Sequence, residues 1–168
     1  MAIHKDFPKS PHEILKPEIR WFPADEILRE STLEKLLPPL VPELRRQVAR
    51  WRDSGYDGVS ETSQTLLNWW FKTDHPIVHA DGSTTNFQYY FAQQESLETI
   101  VYLHEKVKIA DKNDLLRFDT NGVISANMMD ETWRRYVIKM ATGAGKTKVM
   151  SLVLAWAYFH KTYEVDSD

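Results

Sequence analysis

Residues 134–147 read Arg-Arg-Tyr-Val-Ile-Lys-Met-Ala-Thr-Gly-Ala-Gly-Lys-Thr, a compact apolar run followed by a glycine-rich turn. The β-branched residues within 135–140 predict a buried strand that leads directly into the turn. Residues 146–160 predict a helix, because apolar side chains recur there at helical spacing: Val149, Leu152, Val153, Trp156 and Phe159. A strand, a glycine loop and a helix in this order are the context in which a phosphate-binding loop is found.

The six residues of the turn have the chemistry that a nucleotide phosphate requires. They are Thr142, Gly143, Ala144, Gly145, Lys146 and Thr147. The two glycines let successive backbone N–H groups point at phosphate oxygens, which a Cβ atom would obstruct, and the helix adds its positive N-terminal end. The ammonium of Lys146 can reach the β- and γ-phosphates as the catalytic cation, and the Thr147 hydroxyl can coordinate Mg²⁺. The sequence therefore predicts ATP and Mg²⁺ as cofactors.

The first position of the loop departs from the general pattern, because Met140 stands where a glycine is usual. Loops of the form x-A-T-G-x-G-K-T are typical of superfamily two (DEAD-like) helicases, and residues 134–147 resemble the first motor strand and motif I of the type III restriction enzyme Res subunit. Residues 91–103, Phe-Ala-Gln-Gln-Glu-Ser-Leu-Glu-Thr-Ile-Val-Tyr-Leu, resemble the helix that opens with a glutamine in the same family. The resemblance spans residues 87–159 and is weak before residue 60.

This resemblance implies a fold, a site residue and a set of partners. Gln93 would read adenine, because an amide can accept from the base amino group and donate to a ring nitrogen; Gln94 and a polar helix start without a ligand are the alternatives. The fold would be α/β: a mainly helical region over residues 1–86, then the first strand, P-loop and helix of a truncated RecA-like domain over 87–168. The complete protein would be a helicase or translocase that moves on double-stranded DNA, with other restriction–modification or defence subunits as partners.

A motor of this kind also needs an Asp-Glu pair after a later strand, where it holds Mg²⁺ through water. Asp130-Glu131 precedes the loop and Asp25-Glu26 lies far upstream, and neither follows a run of strand residues. We therefore expect the 168 residues to be the N-terminal part of a larger motor. Alone, these residues are not expected to form a competent ATPase. Two alternatives stay open: a different P-loop class, such as a small kinase or signalling ATPase, and a non-catalytic interaction fragment.

The composition is that of a folded protein, with 42% hydrophobic and 27% charged residues. The net charge of −3 provides no global attraction to nucleic acid, so contact with DNA would depend on local basic patches. The absence of cysteine excludes disulfides and thiolate metal sites. The N-terminus lacks a signal-peptide core, and no apolar run approaches the roughly 18–20 residues that span a bilayer. We expect a cytoplasmic protein without a membrane partner.

The remaining chain predicts an extended arm over residues 1–23, two short helices within 23–37, and a helix around Leu44, Val48 and Trp51. Ser60 or Thr62 is expected to cap a further helix. Downstream we expect a loop or a short hairpin around 77–82, a helix over 92–106 and a short turn near 114–116.

Three residue clusters each have a functional and a structural interpretation. His75 and His79 have ligand-like spacing, but loop histidines explain them better because Pro76 forbids a helix there. An arginine cluster could contact DNA phosphates, although a solvated helix face is favoured: Arg45, Arg46, Arg50 and Arg52. The pair Trp69-Trp70 is interpreted as core rather than as a platform for base stacking.

Overall fold

A computed structural model of the protein describes residues 40–119, 122, 124 and 137–164. The predicted arm and the two short helices within 23–37 lie outside these residues, as do both Asp-Glu pairs. The described part is mostly helical, with one small antiparallel sheet. None of its helices has both the length and the apolar character needed to cross a membrane.

The first two helices follow the signals in their sequences. Helix α1 covers Val41–Asp53, begins with Pro42 in its first turn and carries arginines in its last turn, where cations complement the helix dipole. Helix α2 covers Glu61–Lys72, and the Ser60 side chain caps it by accepting a hydrogen bond from the Ser63 backbone N–H at 3.2 Å. The predicted helices are confirmed, and Ser60 is the capping residue.

The predicted hairpin is also present. Strands β1, His75–Val78, and β2, Thr84–Phe87, pair antiparallel with His75 opposite Phe87 and Val78 opposite Thr84. Gly82 adopts φ +82° in the connecting turn, and the Asp81 carboxylate accepts from the Ser83 backbone N–H at 2.9 Å. The next helix begins a short distance along the chain after this hairpin.

Helix α3 covers Phe91–Val101 and continues without a break as a π-helical turn over Tyr102–Lys106. The predicted helix over 92–106 is therefore confirmed in extent, while its π-helical end was not foreseen. A short helix α4, Lys112–Leu115, and a 3₁₀ turn, Leu116–Phe118, follow and confirm the turn expected near 114–116.

Helix α5 covers Lys146–Tyr163, and Val149, Leu152 and Trp156 are buried on one side of it, as predicted. The prediction was wrong for Phe159, whose side chain is 37% exposed. That side chain instead contacts Tyr158 and Tyr163 on the same helix.

The prediction of a buried strand over residues 135–140 is wrong for residues 137–140, the part that the structure describes. Residues 137–140 have no regular secondary structure, and Val137 is 77% exposed. A strand exists only through pairing with another strand. The sole strands among the described residues, β1 and β2, pair with each other, so the β-propensity of this run is not expressed here.

One hydrophobic core joins helices from both sides of the predicted boundary near residue 86. Its buried apolar members come from α1, α2, α3 with its π-helical turn, the 3₁₀ turn, α5 and intervening loops: Val48, Trp51, Tyr56, Leu67, Trp70, Leu97, Ile100, Val101, Tyr102, Leu103, Ile109, Phe118, Leu152 and Trp156. The division of the chain into domains at residue 86 stays a prediction.

A fully buried carboxylate, that of Glu98, ties α1 to α3. It accepts from the Arg52 guanidinium, with one bond at 2.9 Å, from the Tyr56 hydroxyl at 2.7 Å and from the Gln94 amide at 2.7 Å. Burial and the Glu98 charge raise the pKa of Tyr56 well above its ordinary value, so the phenol stays a donor. Each side chain in this network thus has a hydrogen-bond partner that replaces water lost on burial.

The N-terminus of α2 is covered by carboxylates from two other elements. Glu105 of the π-helical turn accepts from the Ser60 backbone N–H at 2.8 Å, and Glu164, which follows α5, accepts from the Thr62 backbone N–H at 3.1 Å. Negative groups are favourable at a helix N-terminus, where N–H groups lack partners within the helix. These bonds attach the C-terminal end of α5 to α2.

Replacement of Glu98 by alanine is expected to lower the free energy of unfolding by about 3–5 kcal/mol, because it leaves the Arg52 charge partly buried without its partner. Urea unfolding measures the loss. Arg46→Ala is the control: Arg46 pairs with Glu43 at the surface, where a pair contributes about 0–1 kcal/mol. Equal losses in the two variants would contradict the role given to Glu98.

The Glu164 carboxylate is expected to titrate below its ordinary value of 4.5, because bonds from the Thr62 side chain and backbone lower its pKa. Its contribution to stability is therefore present above the unfolded-state pKa and is lost as pH falls through the lowered folded-state value. The Thr62 amide resonance followed by NMR against pH reports the midpoint. Thr62→Val, which keeps the backbone donor, should move that midpoint upward; a wild-type midpoint at or above 4.5 would refute the assignment.

Candidate nucleotide site

The glycine loop of residues 142–147 turns directly into α5. Gly143 and Gly145 have φ values of +81° and +79°, the left-handed region that glycine adopts without strain. The Ala144 N–H donates to the Ala141 carbonyl at 3.2 Å, which closes the turn. Gly145 is the N-cap of α5, and its carbonyl accepts from Lys148 at 2.9 Å and Val149 at 3.3 Å. The loop thus sits at the positive end of an 18-residue helix.

The side chain of Lys146 folds back over the start of the loop. Its Nζ donates to the Met140 carbonyl at 2.9 Å and to the Ala141 carbonyl at 3.1 Å. Met140 takes part through its backbone alone, so the departure from glycine at that position leaves this contact intact. The Lys146 ammonium is exposed and lies within the loop that it would serve.

The structure brings Gln93 into contact with the glycine loop across 51 positions of sequence. Gln93 is 5% exposed; its Oε1 accepts from the Tyr90 N–H at 3.0 Å and its Nε2 donates to the Ala144 carbonyl at 3.2 Å. A Cβ atom on Gly145 would overlap the Gln93 amide nitrogen. Gln94 instead donates to Glu98 on its own helix. Of the two glutamines, Gln93 is the one beside the loop.

The amide of Gln93 has hydrogen-bonding capacity beyond these two contacts. A primary amide carries two donor hydrogens and two acceptor lone pairs, of which the described contacts use one each. One donor and one acceptor are what the amino and ring-nitrogen edge of adenine requires. The contact with the loop is therefore compatible with base reading by the same side chain.

An aromatic wall beside the loop was not singled out from the sequence. The Lys148 Nζ lies 5.4 Å from the Phe87 ring centroid and 5.9 Å from that of Tyr89, within the range of cation–π attraction. Phe87 and Tyr89 meet edge-on at 4.8 Å, and Tyr89 meets Phe71 at 5.4 Å. The signal was the aromatic-rich segment over residues 87–91, but Lys148, which contacts Phe87 and Tyr89, lies 61 and 59 positions from them along the chain.

The residues of the loop fit a nucleotide phosphate with Mg²⁺. Two left-handed glycines, a helix N-terminus and an exposed lysine form the anion-binding part, and Thr147 follows with a hydroxyl. The described residues contain no cluster of three His, Asp or Glu side chains that would hold a metal by itself. Mg²⁺ bound with a nucleotide takes few protein ligands and keeps water and phosphate oxygens, so a single hydroxyl suits it.

The three clusters considered in the sequence have structural partners. His75 contacts the Trp70 carbonyl at 3.2 Å and His79 contacts the Thr85 hydroxyl at 2.8 Å. Trp70 is buried as expected, whereas Trp69 is 54% exposed.

The arginine cluster on α1 forms the expected solvated face only in part, because Arg46 and Arg50 are exposed whereas Arg45 and Arg52 are half-buried. Arg45 pairs with Glu95 at 3.1 Å, and Arg52 pairs with the buried Glu98. Arg46 bonds Glu43 on its own helix. Three of the four charges are thereby neutralised by neighbouring carboxylates.

The glycine loop and the helix that carries Gln93 both lie within one family match. Residues 86–166, just under half of the chain, match the family model described as type III restriction enzyme, res subunit. Over these residues the chain is similar to a helicase-like family that generally uses ATP and Mg²⁺ and acts on DNA. No curated protein and no solved structure matches the chain.

Gly145→Ala is expected to destabilise the protein more than Gly143→Ala does. Both variants place an alanine at positive φ, which costs roughly 1–2 kcal/mol, but only the Cβ at 145 overlaps Gln93, while that at 143 meets open space. Urea unfolding of the two variants and of Gly145→Ala combined with Gln93→Ala measures the difference. The excess loss should shrink in the Gln93→Ala background; an excess that stays constant would exclude Gln93 as its cause.

Proposed function

We propose that this chain binds ATP·Mg²⁺ through Thr142, Gly143, Ala144, Gly145, Lys146 and Thr147, with Gln93 at the base. The observation that carries the proposal is the loop geometry: two left-handed glycines lead into the N-terminus of a long helix whose first residues are Lys146 and Thr147. A carboxylate or a bulky side chain at these positions would oppose an anion. The glycines, the lysine and the threonine that occupy these positions favour the binding of an anion.

The residues of the loop would act by binding and orienting the phosphates. The Lys146 ammonium, which bonds two backbone carbonyls, would exchange them for β- and γ-phosphate oxygens, as a charged donor favours a charged acceptor. Thr147 would supply a hydroxyl ligand to Mg²⁺, and the bound cation would supply positive charge to the phosphates. Gln93 would use its remaining donor and acceptor for the adenine edge while it holds the Ala144 carbonyl.

In the complete protein we propose that ATP hydrolysis drives translocation on double-stranded DNA, with other restriction–modification or defence subunits as partners. Residues 1–86 would form the mainly helical N-terminal region, and residues 87–168 the start of a RecA-like domain. An apolar stripe of three exposed side chains on α5, Met150, Leu154 and Tyr158, supports a larger domain. A helix that is apolar on both sides is stable when a core covers both, and a parallel sheet would provide the second cover.

A non-catalytic interaction fragment is the second candidate, since the exposed apolar side chains Met150, Leu154 and Tyr158 on α5 would also suit a surface that binds a partner. Isothermal titration of ATP·Mg²⁺ into the 168-residue chain separates the two. Heat of binding that requires Mg²⁺ supports the nucleotide site, and the absence of heat supports the inert fragment.

Lys146→Ala is expected to weaken ATP binding by at least tenfold, because it removes the cation that faces the phosphates. One charged hydrogen bond is worth about 1.5–3 kcal/mol. The dissociation constant of a fluorescent ATP analogue measures the effect. Lys161→Ala is the matched control, because it removes an exposed lysine from the last turn of the same helix. ATP binding by Lys146→Ala at the level of Lys161→Ala would overturn the assignment of the loop.

A further inference from the structure

Helix α5, which carries the glycine loop, is held by apolar contacts along one stripe only. Val149, Leu152 and Trp156 are buried there, while Met150 and Leu154 on another side are exposed. Hydrophobic contacts are not directional, so they fix the distance of α5 from the core more firmly than its rotation. Hydrogen bonds depend on angle. The rotation of α5, and with it the direction of the loop, therefore depends on polar contacts.

The carboxylate of Glu105 lies close to two polar side chains of α5, those of Trp156 and His160. Its Oε1 accepts from the Ser63 hydroxyl, which itself accepts from the Trp156 indole N–H at 2.7 Å, and the same indole N–H reaches Oε1 directly at 3.3 Å. The same oxygen lies 3.5 Å from His160 Nε2, one turn further along α5. Its Oε2 accepts from the Ser60 N–H at 2.8 Å. Glu105 is 9% exposed, so water competes little for these donors.

The π-helical turn aims Glu105 at α5. Glu98 and Glu105 are seven residues apart, a spacing that places two side chains on one face of a continuous α-helix. Here Glu98 contacts α1, whereas Glu105 contacts α2 and α5. A turn with i→i+5 bonds contains more residues than an α-helical turn and so rotates the following side chains. The π-helical turn over Tyr102–Lys106 thus separates the two carboxylates onto different faces.

The helix that carries Glu105 also carries Gln93, so it contacts the loop and α5 at one point each. Gln93 bonds Ala144 within the loop, and Glu105 holds Trp156 of α5 both directly and through the Ser63 hydroxyl. Trp156 lies ten residues after Lys146, about 15 Å along a helix. Two polar contacts separated in this way restrict both the axial position and the rotation of the segment formed by the loop and α5. One of these contacts lies in the loop itself, and the other is supplied by Glu105.

We infer that Glu105 is a positioning residue for the phosphate loop: through Trp156 and His160 it sets the rotation of α5 and so the placement of residues 142–147. The inference rests on the proposed function for its consequence in ATP binding. Its structural content, the coupling of a distant buried carboxylate to the mobility of the loop, is independent of any nucleotide.

The test compares Glu105→Gln with Glu98→Gln in the full chain. Each variant replaces a buried carboxylate of the same helix by an amide of the same shape, whose NH₂ group then faces donors. Hydrogen exchange of backbone amides 142–149 without nucleotide, and the dissociation constant of a fluorescent ATP analogue, are measured for both. Glu105→Gln should accelerate exchange and weaken binding by about 3- to 30-fold. Glu98→Gln should lower the unfolding midpoint and leave both loop readouts at wild-type values.

Equal effects of the two variants on the loop, or no effect of Glu105→Gln, would overturn the inference. If Glu105→Gln fails to fold, Trp156→Phe decides, because it removes the indole donor and keeps an aromatic ring. Its control is Trp51→Phe on α1, which removes the bond from the indole to the Asp57 carbonyl in the turn after that helix. Faster exchange at 142–149 in Trp156→Phe alone supports the inference, and equal exchange refutes it. A wild-type chain that binds no ATP would refute the proposed function, while the exchange comparison would still test Glu105.

Discussion

Buried charge is the constraint around which this small protein is arranged. A carboxylate removed from water is tolerated only where several donors replace its hydration. Glu98 finds them on α1 and in the turn after it, and Glu105 finds them on α2 and α5. Because each buried carboxylate needs several donors at once, Glu98 and Glu105 favour helix arrangements that bring those donors together.

The candidate site depends on the same helix. Gln93 occupies the space that a Cβ atom on Gly145 would need. Glycine at this position therefore suits both the left-handed backbone conformation and the nearby Gln93 side chain. Lys146 is prepositioned by carbonyls of the segment that precedes the loop. The loop is thus shaped by contacts within its own stretch of chain and by Gln93, which lies 51 positions from Ala144. A phosphate-binding motif read as a local string does not contain Gln93.

Local signals in the sequence were sufficient for much of the structure. Apolar periodicity located α1, α2, α3 and α5, and Ser60 and Asp81-Gly82 marked a cap and a turn. The glycine loop and the Gln93 helix led to the family that residues 86–166 match. Failures came where long-range contacts decide. The run over 137–140 has strand propensity without a strand partner among the described residues, and propensity for strands is strongly dependent on context.

The polar network could not be predicted from the sequence, because its contacts also join residues that are far apart along the chain. Arg52 meets Glu98 across 46 positions and Trp156 meets Glu105 across 51, and no spacing rule relates such pairs. The arginines of α1 therefore seemed to form a solvated face. The π-helical turn has no simple signature in composition, yet it decides where Glu105 points. Position within the fold, rather than residue type, gives these side chains their roles.

The exposed stripe on α5, Met150, Leu154 and Tyr158, also affects how this chain behaves in solution. Contiguous apolar surface promotes self-association as concentration rises. The stripe lies on a different side of α5 from the buried residues that face the core, so its chemistry can be altered without touching Val149 or Trp156. A charged residue at Leu154 would improve solubility at little cost to the fold. Association in solution and the packing of α5 against the core are thereby separable on one helix.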